Sequence, residues 1–107
     1  MEVQIKEQID TLINNNHIVL FMKGTNLMPM CGFSNTVVQI LNLLNVDYYT
    51  VNVLDNPVIR ENIKLYSNWP TIPQLYINSE FIGGSDIVID LYQKGELQEI
   101  IEKSFAT

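Results

Sequence analysis

The sequence contains very few of the residue types that mark several common protein classes. It has one cysteine, Cys31, so no disulfide can form within the chain and a reducing compartment is the expected setting. The sequence has six Lys and Arg residues and 12 Asp and Glu residues, so its formal net charge is −6. No nucleic-acid partner is expected, because no basic cluster is present to neutralise phosphates.

The chain also lacks a long uninterrupted apolar run. No run approaches the roughly 18 residues of a membrane-spanning helix, so no membrane partner is expected. The first ten residues, MEVQIKEQID, resemble neither a secretory signal nor a transit peptide, and the mature protein is expected to begin near Met1. With 47% hydrophobic and 17% charged residues, residues 1–107 are expected to form a single globular domain.

Helix and strand patterns alternate along the whole chain. Helices are predicted over residues 3–16, 34–45, 55–67, 85–95 and 96–104, and strands over 17–23, 46–53, 73–78 and 80–84. Asn56 and Pro57 are expected to cap and begin the third helix. A helix joins the first two strands, which should therefore be parallel, whereas the last two should form a hairpin. The predicted fold class is α/β, a small mixed sheet with helices on both faces.

Cys31 lies in the stretch PMCGFSN, between an apolar strand and a helix. Unpaired N–H groups and the helix dipole lower the pKa of a thiol at a helix N-terminus, and Lys23 could add a positive charge nearby. Ser34, three residues later, cannot resolve a mixed disulfide as a second cysteine would. From these features alone, a functional thiol and an inert buried cysteine both remain open.

Other features have both a structural and a functional interpretation. The WPTIP stretch is either a rigid turn or the site of a cis peptide bond before Pro73, and spacing alone does not distinguish them. GGSD, residues 83–86, is either a simple turn or a helix start that could bind a carboxylate. Arg60 could bind a carboxylate with its guanidinium or have no specific partner. His17 is interpreted as structural.

Four blocks of sequence, taken together, resemble the monothiol glutaredoxins. They are KGT at 23–25, CGFS at 31–34, WPTIPQLYI at 69–77 and GGSDI at 83–87. The resemblance covers essentially the whole chain and implies a thioredoxin-like fold, with a central four-stranded mixed sheet flanked by helices. It also implies a cis peptide bond before Pro73, facing the thiol. Two positions depart from the family pattern: Asn26 replaces a frequent proline, and Ser85 replaces a second cysteine of some relatives.

The same resemblance implies a glutathione-binding groove beside Cys31. By position its residues are Lys23, Arg60, Ile72, Ser85 and Asp86, with Phe33 and Trp69 at the rim. Lys23 and Arg60 would hold the glycine carboxylate of glutathione, and the Ile72 backbone would pair with the tripeptide as a strand does. Asp86 would take the ammonium of the γ-glutamyl end, and the amides near Ser85 would take its carboxylate.

One thiol per chain also fits the ligand count of a shared iron–sulfur cluster. A [2Fe–2S] cluster takes four terminal ligands, usually thiolates. Two chains would supply two of these ligands through their Cys31 thiolates, and two glutathiones would supply the other two. The result would be a cluster-bridged homodimer. The resemblance thus implies a cluster carrier for apo iron–sulfur recipients, located in the cytoplasm or in an organelle stroma or matrix.

Two other functions remain open alongside the carrier. The first is glutathione-dependent reduction of mixed disulfides at Cys31, for which the resemblance implies weak activity. The second is an interaction module that senses the cluster together with a BolA-like protein.

Overall fold

The computed structural model describes residues 1–106, which contain five helices and four strands in the predicted order. They are α1 (Val3–Asn14), β1 (Ile18–Met22), α2 (Gly32–Leu43), β2 (Tyr49–Asn52), α3 (Pro57–Ser67), β3 (Gln74–Ile77), β4 (Glu80–Gly83), α4 (Ser85–Gln93) and α5 (Glu96–Phe105). All of these boundaries lie within three residues of the predicted ones. In the described part of the chain, no helix is long and apolar enough to cross a membrane.

The four strands form one mixed sheet in the order β2-β1-β3-β4. Strand β1 runs parallel to β2, and β3 runs antiparallel to both β1 and β4. The turn between β3 and β4 uses Asn78 and Ser79, both with positive φ, as tight hairpin turns require. The predicted mixed sheet, parallel pair and hairpin are therefore confirmed.

Strand β1 passes through the centre of the molecule, and all five of its residues are buried. Successive side chains point to opposite faces of the sheet, so β1 contributes to two hydrophobic clusters. Ile18, Leu20 and Met22 pack with residues of α2, α4 and α5, whereas Val19 and Phe21 pack with residues of α1 and α3. Burial on both faces explains why the sequence of β1 is continuously apolar rather than alternating.

Helix α3 forms one wall of the candidate site and is anchored at both ends. The Asn56 side chain accepts a hydrogen bond from the Ile59 N–H at 3.1 Å, and Pro57 begins the helix, which confirms the predicted cap. Near the other end, the Tyr66 hydroxyl donates to Asp10 of α1 at 2.6 Å. Partial burial, together with this hydrogen bond and the charge of Asp10, raises the pKa of Tyr66 to about 12.

His17 connects the beginning of β1 with the end of α5. Its Nε2 lies 2.7 Å from the Ser104 hydroxyl oxygen, and its ring stacks on Phe105 with the ring centroids 3.9 Å apart. This contact is at the amino end of β1, whereas the candidate site lies beyond its carboxyl end. It agrees with the structural interpretation of His17.

Candidate functional site

A cavity of about 480 Å³ opens beyond the carboxyl end of β1. All six candidate residues from the sequence line it: Lys23, Cys31, Arg60, Ile72, Ser85 and Asp86. The remaining lining residues are Phe33, Lys64, Pro70, Thr71 and Pro73. Trp69, which was expected at the rim, is not among the lining residues. It packs instead against Phe81, with ring centroids 5.8 Å apart.

Cys31 occupies the N-cap position of α2, where the chain changes from extended to helical. Its thiol is partly exposed and forms no regular capping hydrogen bond. Partial burial is the largest single effect and by itself raises the pKa of this thiol. Hydrogen bonding by Ser34 and Phe33 and the charge of Lys23 each lower it, and together they outweigh burial. The net effect is a pKa below the ordinary value, so thiolate is more abundant than in a free cysteine.

Ser34 has two contacts that its place in the sequence did not suggest. It is fully buried, and its hydroxyl oxygen accepts a hydrogen bond from the Lys23 N–H at 3.2 Å. Its hydroxyl is also among the groups that lower the pKa of Cys31. Ser34 thus joins the end of β1 to the first turn of α2 and holds Lys23 and Cys31 in adjacent positions.

The segment between β1 and α2, residues 24–30, is tied down by its own hydrogen bonds. Thr25 and Met28 exchange backbone bonds of 3.1 Å each, and the Met30 N–H donates to the Lys23 carbonyl at 2.9 Å. The Gly24 N–H donates to the Asn52 side chain at the end of β2, also at 2.9 Å. Asn52 therefore positions the chain leading to Cys31, although no sequence motif marked it.

The peptide bond between Ile72 and Pro73 is cis, as the family resemblance implied. Ile72 is 8% exposed, so its side chain is almost wholly buried. Neither its N–H nor its C=O has a hydrogen-bond partner among residues 1–106. The polar groups of a buried backbone are normally paired. Ile72 is an exception, and it leaves a free donor and a free acceptor in the cavity that Cys31 also lines.

Helix α4 begins at the cavity, with Ser85 and Asp86 as its first two residues. The N–H groups of a first helical turn have no acceptor within the helix, so they are available to an anion. Gly84, which precedes them, lies against Trp69: a Cβ at Gly84 would be 3.1 Å from the indole Nε1. This close approach packs the start of α4 against the segment that leads to Pro73.

The cavity concentrates positive charge in an acidic chain. Lys23, Arg60 and Lys64 line it and make up half of the six basic side chains, whereas Asp86 is the one acidic residue of the lining. Lys64 was not identified from the sequence. Its position four residues after Arg60 on α3 was the available signal, since residues at that spacing share a helix face.

Comparison with known proteins agrees with this arrangement. A family model described as Glutaredoxin matches residues 18–82, which include β1 to β3, most of β4, the thiol and the cis proline. The chain belongs to the glutaredoxin family. This glutaredoxin is 58% identical to "Uncharacterized monothiol glutaredoxin ycf64" of Porphyra purpurea, over 99% of each chain. It is 55% identical to "Monothiol glutaredoxin-S14, chloroplastic" of Arabidopsis thaliana, over 97% of this chain and 60% of that protein.

Solved structures confirm the thioredoxin-like fold of this glutaredoxin. Reduced poplar apo GrxS14 matches with a TM-score of 0.85 and 50% identity, over 96% of this chain and 94% of that one. A buckwheat glutaredoxin–glutathione complex matches with a TM-score of 0.83, over 96% and 92% of the two chains. At 24% identity this second likeness concerns the fold alone. The individual residue roles in this glutaredoxin stay predictions.

Proposed function

We propose that the cavity beside Cys31 binds glutathione. The observation that carries the proposal is the convergence of three kinds of group around one thiol. These are the basic side chains, the unpaired backbone groups of Ile72 and the start of α4 with Asp86. Each complements a different part of a tripeptide that has two carboxylates, an ammonium and a peptide backbone.

Each end of glutathione has a matching group. Lys23 and Arg60 bind the glycine carboxylate, since cations and carboxylates form strong charge-assisted hydrogen bonds. The N–H and C=O of Ile72 pair with the backbone of the tripeptide, as in strand addition. The first turn of α4 at Ser85 takes the γ-glutamyl carboxylate, and Asp86 takes the ammonium. The glutathione sulfur then lies on the side of Cys31.

We further propose that two copies of this chain carry a [2Fe–2S] cluster between them. Within residues 1–106, no group of three or more His, Cys, Asp and Glu could hold a metal ion. Cys31 alone offers a thiolate, and a cluster needs four terminal ligands. Two Cys31 thiolates and two bound glutathiones complete that number. Glutathione is a small exchangeable ligand, which suits transfer of the cluster to apo iron–sulfur recipients.

Anaerobic reconstitution tests this proposal. The chain is incubated with ferrous iron, sulfide and glutathione, and then separated by size-exclusion chromatography with visible absorbance. We expect a coloured species of dimer mass that requires glutathione and is lost in Cys31→Ser. Thr36→Ala, which alters the same helical turn outside the cavity lining, should still form it. A coloured dimer that survives in Cys31→Ser would contradict the proposal.

The lowered pKa of Cys31 supports a second candidate, glutathione-dependent reduction of mixed disulfides. The Cys31 thiolate would attack the glutathione sulfur of a protein–glutathione disulfide, and the protein thiol would leave. A second glutathione thiolate would attack the resulting Cys31–glutathione disulfide, releasing oxidised glutathione and restoring the thiolate. Robust turnover in a deglutathionylation assay would favour this function, and activity near background would favour the carrier.

Partners and location are proposed from the family alone. We place the protein in the cytoplasm or an organelle stroma, and relatives from Arabidopsis thaliana and rice carry the word "chloroplastic" in their names. A BolA-like protein is a proposed regulatory partner. Pull-downs with cluster-loaded and cluster-free protein should separate such a partner from recipients that take the cluster.

A further inference from the structure

Gln74 is a fully buried polar residue whose side chain spans the segment beside the cavity. It is the first residue of β3, directly after the cis proline, and its exposed fraction is 0%. Its Nε2 donates to the carbonyl of Trp69 at 3.1 Å and to that of Thr71 at 3.2 Å. Its Oε1 accepts from the Tyr76 hydroxyl at 3.3 Å. Two carbonyls can be satisfied only by the two N–H bonds of Nε2, which defines the amide orientation.

These hydrogen bonds determine the direction of the next peptide group. The carbonyl of Thr71 and the N–H of Ile72 belong to one trans peptide unit, in which they point in opposite directions. Because the Thr71 oxygen points toward buried Gln74, the Ile72 N–H points away from Gln74, and Ile72 lines the cavity. That N–H is the donor without a partner among residues 1–106.

Gln74 is itself held in place, and its side chain acts on the segment before Ile72 rather than on the thiol. Its backbone is paired with Phe21 of β1, in the centre of the sheet, so the side chain extends from a rigid position. Both of its donors act on the residues before Ile72, and neither contacts Cys31 or the groups that alter the thiol pKa. Gln74 can therefore control the ligand-binding backbone without controlling the thiol.

We propose that Gln74 is a positioning residue for glutathione, holding the Thr71–Ile72 peptide so that the Ile72 N–H faces the bound tripeptide. The inference rests on the proposed function, because it assigns a determinant of binding in the same cavity. Without the two donors of Gln74, this peptide can rotate, and the two carbonyls lose their partners. Glutathione must then order the segment at the cost of affinity.

The test compares Gln74→Met with Tyr76→Phe in the full chain. Gln74→Met keeps a similar volume but removes both donors. Tyr76→Phe removes the hydrogen bond to the opposite end of the same amide and leaves both carbonyl contacts in place. Glutathione affinity is measured by isothermal titration calorimetry, and the Cys31 pKa by the pH dependence of alkylation. Circular dichroism verifies that each variant is folded.

We expect the glutathione Kd to rise by about tenfold in Gln74→Met and by less than about twofold in Tyr76→Phe. The Cys31 pKa should be the same in all three proteins, which a general loosening of the site would not allow. If Gln74→Met does not fold, Gln74→Leu takes its place, since it is also uncharged and lacks both donors.

Three results would overturn the inference while leaving glutathione binding intact: unchanged affinity in the Gln74 variants, an equal loss in Tyr76→Phe, or a Cys31 pKa that shifts with the Kd. If the wild-type protein binds no glutathione, the proposed function is wrong and the inference falls with it. The wild-type titration therefore separates the two failures.

Discussion

At Cys31, several effects of opposite sign act on one thiol. Burial favours the neutral form, whereas hydrogen bonding by Ser34 and Phe33 and the charge of Lys23 favour the thiolate and prevail. Because the pKa is lower in the folded chain, ionisation of Cys31 stabilises the fold. That contribution is fully present above the pKa of the unfolded thiol and is lost as the pH falls through the folded pKa.

Replacing Ser34 by alanine should raise the pKa of Cys31, because one of the groups that favour the thiolate is removed. The change should be modest, since a single weak hydrogen bond contributes roughly 1 kcal/mol. Alkylation by iodoacetamide at pH 7 should be slower, and the midpoint of its pH–rate curve should move upward.

Thr36→Ala is the matched control for that substitution. The Thr36 hydroxyl donates to the Gly32 carbonyl at 3.0 Å in the same first turn, yet it is not among the groups that act on the thiol. Its alkylation curve should coincide with that of the wild type. Coincident curves for Ser34→Ala and the wild type would show that the hydroxyl has no electrostatic role.

Among the elements, the connection from β1 to α2 decides where the thiol lies. Gly24 begins this connection with φ of 93°, a left-handed conformation that side chains rarely adopt. A Cβ at this position would lie 2.5 Å from the Met28 carbonyl oxygen and 2.6 Å from the Met30 nitrogen. Both are backbone atoms, so the whole segment would have to move.

Gly24→Ala should therefore destabilise the protein, by about 2 kcal/mol or more in the free energy of unfolding. Gly32→Ala is the control, because Gly32 is the first residue of α2 and a Cβ there would meet no atom within 4 Å beyond its chain neighbours and its own helix backbone. Alanine is the better helix former, so Gly32→Ala should leave stability unchanged or raise it slightly. Urea unfolding measures the free energy of unfolding of both variants. An equal loss of stability in the two would contradict the role assigned to Gly24.

For the whole molecule, the distribution of charge matters more than its sum. The chain carries −6 overall, yet Lys23, Arg60 and Lys64 gather at one cavity. Lys23 directly follows β1, whereas Arg60 and Lys64 belong to α3, which is distant in sequence. An anionic ligand is attracted to this cavity even though the remaining surface is predominantly acidic.

Glutathione affinity should accordingly depend on salt. Raising sodium chloride from about 0.05 to 0.5 M should increase the Kd several-fold, because dissolved ions screen the attraction between the cations and the carboxylates. Glutathione amidated at its glycine carboxylate should bind more weakly and respond less to salt. A Kd that is equal at both salt concentrations would exclude electrostatic attraction as a source of affinity.

Much of the fold could be predicted because its signals are local. The continuously apolar run of β1, the Asn56 cap and the hairpin at Asn78 and Ser79 each depend on neighbouring residues. Lys64 was missed although its spacing from Arg60 was a local signal. Asn52 was missed for the opposite reason. Asn52 acts on Gly24, 28 residues away, and no local pattern encodes such a contact. For the same reason the sequence did not predict the contact of Trp69 with Phe81 of β4.

The sequence by itself determined the order of the elements, the position of the single thiol at a helix start and the membership of the family. Periodicity, turn residues and motifs are properties of short segments, and they persist whatever the segments pack against. Only the tertiary structure decided that three cations share the cavity, that the Ile72 N–H is unpaired and that the pKa of Cys31 is lowered. Burial, charge and hydrogen bonding act through space, between residues that the chain holds far apart.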